Sequence, residues 1–62
     1  MNETIYSVMN EESGIRAEVF RLPAGQYSVV ITDLDCGRKL PPVYKPTEYL
    51  AKAYADLCVK HS

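Results

Sequence analysis

The run Leu22-Pro23-Ala24-Gly25-Gln26 limits this chain more than any other, because it turns the backbone at one place and so sets a register for what flanks it. Proline sets φ for the first central position of a type I turn, and glycine two residues on adopts the left-handed conformation that closes a three-residue hairpin loop. Before the loop, Ile15–Leu22 alternates apolar and charged residues at first, as a strand with one buried face does, and Tyr27–Leu34 follows as the return strand. With Leu22 opposite Gln26, Val19 meets Val29, Ala17 meets Ile31 and Arg21 meets Tyr27 on one face. That face is a core. Phe20, Glu18 and Arg16 meet Ser28, Val30 and Thr32 on a second, mixed face. A slip of one residue would scatter the apolar side chains over both.

The rest of the chain extends this hairpin. Thr4–Met9 is rich in β-branched and aromatic residues and precedes the polar run Asn10–Gly14, which reads as strand and then turn. Counting across that turn places Ile5 and Met9 on the core face and Tyr6 and Val8 on the other. Asp35-Cys36-Gly37 is a further turn, and Arg38–Tyr44 returns as a short edge strand restricted by Pro41 and Pro42, which cannot donate to a ladder. Pro46 and Thr47 then open a helix over Glu48–Lys60, with Thr47 as the N-cap. Leu50, Ala53, Tyr54, Leu57 and Cys58 form its apolar stripe, and Glu48, Lys52, Asp56 and Lys60 alternate in charge at i,i+4 spacing. The expected fold is α+β: a three- or four-stranded antiparallel β-meander with one C-terminal α-helix packed on one face.

Sixty-two residues make a single domain, 1–62, and a core of that size rarely supplies more than about 3–5 kcal/mol without a staple or a partner. The 47% hydrophobic content is that of a folded chain, and a net charge of −1 argues against the basic surplus of a nucleic-acid binder. No stretch has the apolar length of a membrane span, and Met1-Asn2-Glu3 does not open a signal peptide, so the expected compartment is the cytoplasm. There a disulfide between Cys36 and Cys58 is not expected. Two thiols and His61 fall short of the spacing of a zinc site, so neither metal nor cofactor is expected.

Candidate chemistry is sparse. His61 stands next to the chain end, Asp33 and Asp35 have the spacing of turn aspartates, and Cys36 sits in a turn beside Arg38 and Lys39. Gly14, Gly25 and Gly37 fall singly, so no phosphate-binding loop is present. The chain is therefore read as a non-enzymatic interaction or accessory module. One helix cannot cover both sides of a sheet, which leaves Tyr6, Val8, Phe20 and Val30 as a candidate interface for a homodimer or a protein partner. The alternative reading is a weak DNA-binding domain that uses the sheet face and the Arg38–Lys45 loop, with Arg38, Lys39, Tyr44 and Lys45 as the basic and aromatic contacts.

The order of Ile15–Leu22, Tyr27–Leu34, a strand near Leu40–Tyr44 and the helix run Thr47-Glu48-Tyr49-Leu50-Ala51-Lys52-Ala53-Tyr54-Ala55 resembles two groups. One is the three-stranded-sheet-plus-helix DNA-binding domain of tyrosine recombinases and plant ethylene-response factors. That likeness implies DNA contact through the exposed sheet face, where this chain carries Glu18, Ser28, Val30 and Thr32 and no tryptophan. The other is a group of short uncharacterised bacterial and phage proteins with an Asp-x-Asp turn and a Pro-Thr helix start, here Asp33-Leu34-Asp35 and Pro46-Thr47. It implies an accessory or regulatory role.

Overall fold

The computed structural model describes residues 3–60. Three strands, β1 (Glu3–Asn10), β2 (Ile15–Arg21) and β3 (Tyr27–Asp33), form an antiparallel meander. Two short strands, β4 (Arg38–Lys39) and β5 (Val43–Lys45), both pair with β3, and α1 (Glu48–Lys60) packs on one face of the sheet.

The β2–β3 hairpin has the expected register, with Val19 opposite Val29, Ala17 opposite Ile31 and Arg21 opposite Tyr27. The Leu22 amide donates to the Gln26 carbonyl at 2.9 Å, and Gly25, at φ +82°, donates back to the Leu22 carbonyl at 3.1 Å. The far edge is also as the prolines require. Between the Thr32–Lys39 and Val29–Val43 pairs it carries one residue more than β3, so Pro41 and Pro42 sit in a bulge that splits the strand into β4 and β5.

The first strand departs from expectation. Tyr6 and Val8 pair with Val19 and Ala17 and so lie on the helix-covered face, whereas Met9 pairs with Arg16 on the open one. The expected register gave Asn10 to the turn; the structure keeps it in the strand opposite Ile15, and this one-residue shift exchanges the faces. Asn10 has reasons to stay. Its Oδ1 accepts from the Glu12 and Ser13 amides, its Nδ2 donates to the Val59 carbonyl at 3.1 Å, and its own carbonyl accepts from Gly14 at 2.9 Å. Gly14 is at φ +69°, where a Cβ would come within 2.9 Å of Asp35 Oδ1. Pairing slips between Thr4 and Tyr6, leaving Ile5 as a bulge that still packs against the core.

The helix has the expected bounds and cap, since Thr47 Oγ1 accepts from the Leu50 amide at 3.2 Å. Its rotation is not the expected one. Ala51, Ala55 and Val59 are its buried residues, flanked by the half-buried Tyr54 and Cys58, whereas Leu50, Ala53 and Leu57 face away from the sheet. Both stripes are apolar, so periodicity alone cannot choose between them. Specific contacts at three places do: the Tyr6 hydroxyl donates to Asp56 Oδ1 at 2.5 Å, Asn10 holds the Val59 carbonyl, and Lys45 Nζ lies 4.7 Å from the centre of the Tyr54 ring. The small alanines let the helix sit close to Ala17, Val19, Val29 and Ile31, with which they form the core.

Candidate interaction surfaces

The core is made of small residues. Its largest fully buried side chains are Val19 and Val29. None of the five leucines belongs to it: Leu22 is half-buried, and Leu34, Leu40, Leu50 and Leu57 are exposed. Globular chains usually bury leucine and phenylalanine ahead of alanine by area, because each removes more apolar surface from water. Ile5, Tyr6, Ile15, Tyr27 and Tyr54 pack half-buried against the margin of this core, and other large apolar groups lie on two surfaces.

The first surface is the outer side of α1. Leu50 is 44% exposed, Leu57 55% and Tyr49 79%, with Ala53 exposed between them. The residues of the expected core stripe thus divide, Tyr54 and Cys58 turning toward the sheet and the others toward solvent. Lys52 pairs with Glu48 at 2.9 Å on the flank, and this ion pair holds the Glu48 carboxyl below its ordinary range. Asp56 takes the Tyr6 hydroxyl and pushes its pKa above the ordinary 10, chiefly through that hydrogen bond. Tyr54 is likewise raised, first by its hydrogen bond with the Cys58 thiol and then by burial.

The second surface is the open face of the sheet. One row across it holds Thr4, Phe20, Ser28 and Tyr44, and another holds Met9, Arg16, Thr32 and Lys39. Val30 lies between them opposite Glu18, which is 3.6 Å from Arg16 Nε. Thr32 Oγ1 and Arg16 Nε are buried without a hydrogen-bond partner among the described residues. Of the four residues expected to form an interface, Phe20 and Val30 are on this face, and Tyr6 and Val8 are beneath the helix instead. The expected basic cluster also divides. Lys39 and Tyr44 share the open face, whereas Arg38 pairs with Asp33 and Lys45 with Tyr27 on the helix side. Alternation along an edge strand makes this division unavoidable.

The other expected features lie at turns or ends. The Asp35 amide donates to Asp33 Oδ1 at 3.1 Å, an Asx turn, and Cys36 is exposed beside it. His61 lies outside the described residues. A shallow depression of about 150 Å³ is lined by Glu3, Arg21, Leu22 and Pro23, below the size of ordinary ligand sites. Among the described residues, no helix is long and apolar enough to cross a membrane. The fold places the chain in the α+β class; no protein family, curated protein or solved structure matches it.

Proposed function

We propose that this chain is a non-enzymatic interaction module that self-associates through the outer side of α1. The observation that carries the reading is where the leucines go: the buried core holds alanine, valine and Ile31 and no leucine, while Leu50 and Leu57 are exposed on the helix. Leu50, Ala53 and Leu57 follow the i, i+3, i+7 spacing of a two-helix seam. The small residue in the middle lets two helix backbones approach. A second copy packed antiparallel around Ala53 sets Leu50 of each helix beside Leu57 of the other, and the two helix dipoles then oppose favourably. Burying this seam adds apolar area that a chain of this length lacks.

Light scattering across a concentration series tests the reading with wild type, Leu57→Glu and Phe20→Glu. The expected result is a dimer that Leu57→Glu dissociates and Phe20→Glu leaves intact. A monomer at every concentration would sink self-association. Dissociation by Phe20→Glu alone would move the interface to the open sheet face.

A second reading draws on the open face itself, where Phe20 and Tyr44 share one row and Arg16 and Lys39 the other. Aromatic rings and cations on one open sheet face suit binding of single-stranded nucleic-acid bases and phosphates, although Glu18 lies between the two rows and the net charge is −1. It predicts salt-sensitive binding of single-stranded DNA that Lys39→Glu weakens and Arg38→Glu, on the opposite face, affects far less. Equal losses from the two substitutions would reject the sheet face as the contact.

A further inference from the structure

The two edges of the sheet are unequally protected, and the geometry points to β1 as a docking edge for an extended peptide segment with basic ends. This surface is separate from the outer side of α1. β1 is the longest strand, stands at one end of the strand order, and among the described residues pairs only with β2. Its outer row of backbone N–H and C=O groups is therefore open. From Thr4 to Asn10 it carries no charge, proline or glycine, and its Ile, Tyr, Val and Thr residues favour extended backbone. Natural edges are usually blunted by lysine, proline, bulges or shortness. The opposite edge has all four: Arg38, Lys39 and Lys45, the Pro41-Pro42 bulge, and strands of two and three residues. β1 has only the bulge at Ile5.

Charge at the ends of β1 selects the occupant. Glu3 marks one end and Glu11 and Glu12 the other; all three are exposed, and none is in an ion pair among the described residues. An antiparallel second copy would bring Glu3 of each chain toward Glu11 and Glu12 of the other, carboxylate against carboxylate at both ends of the joint. Like charges across a strand pair destabilise it. A foreign strand with Lys or Arg at both ends meets the opposite situation. Main-chain hydrogen bonds along the uncharged middle supply affinity, and the acidic ends supply choice.

The test uses a synthetic peptide that alternates valine and threonine between lysine pairs, and its twin with glutamate pairs, each titrated against the full chain with amide exchange followed by NMR. The expected result is new protection of outward-facing β1 amides and affinity for the lysine-ended peptide about tenfold or more above its twin. That preference falls to near unity in the triple variant Glu3→Gln, Glu11→Gln, Glu12→Gln, whose substitutions are at exposed positions. Equal binding of the two peptides, no protection in β1, or protection at β4 and β5 instead would overturn the proposal.

Discussion

The inner and outer sides of α1 obey opposite rules. The inner side presents Ala51, Ala55 and Val59 to the sheet, and the outer side carries the exposed Leu50 and Leu57. A helix with apolar residues on both sides is ordinarily enclosed by its own fold. Here the sheet covers one side, and both leucines of the helix remain on the other. What the contrast teaches is that the inner side sets the stability of the single chain, whereas the outer side leaves apolar area exposed, which is the area the proposed seam would bury.

The sharpest way to break this contrast is to exchange sizes across it. Ala55→Leu inserts a large side chain at a fully buried position and is expected to cost about 3 kcal/mol, read as a lower urea midpoint. Leu57→Ala, which removes as much from the outer side, is expected to shift the monomer by no more than about 0.5 kcal/mol. Equal losses would mean that the outer side also belongs to the monomer's core. Next in size is Val59→Ala, at about 2 kcal/mol, because it empties a buried position near the Asn10 anchor.

Thr47→Ala removes the cap common to both sides and should lower stability by about 1 kcal/mol by thermal or chemical unfolding. A dimer formed through the proposed seam should lose no more than the monomer does, since the cap lies outside that seam. The smallest effects are those of pH. The Tyr6 pKa is raised in the folded chain, so the contribution of its bond to Asp56 is complete below the ordinary value of 10 and is lost as pH rises through the raised one. The Glu48 pKa is depressed, so its pairing with Lys52 contributes above the ordinary 4.5 and fades as pH falls through the lower value. Tyr6→Phe should reduce the alkaline limb of the stability curve to the part that the raised Tyr54 contributes, and Glu48→Gln should flatten the acid limb. A steep alkaline loss retained in Tyr6→Phe would place the responsible group elsewhere.

Much of this fold is legible in the chain itself where neighbours in sequence decide the outcome. Pro23-Ala24-Gly25 determines the β2–β3 register because a three-residue loop admits one pairing of the flanking strands. Thr47 starts the helix by satisfying a backbone donor three residues away, and Pro41-Pro42 splits the edge strand because proline has no N–H to give. Asn10 was harder to place: an asparagine before two glutamates has the composition of a turn, and its role as a strand residue rests on the Val59 carbonyl at the far end of the chain.

The candidate surfaces divide in the same way. Phe20 and Val30 reach the open face through local alternation within the hairpin, so the sequence by itself determined their placement once the loop was recognised. The placement of Tyr6 and Val8 toward the helix and the outward turn of Leu50 and Leu57 are decided by the tertiary structure, whereas the separation of Lys39 from Arg38 follows from alternation along the edge strand. The helix has two apolar stripes of similar strength, and which one is buried depends on the depth of the sheet beneath it and on the contacts from Tyr6, Asn10 and Lys45. Periodicity records which side chains share a face. Only the packing of distant elements decides which face is covered.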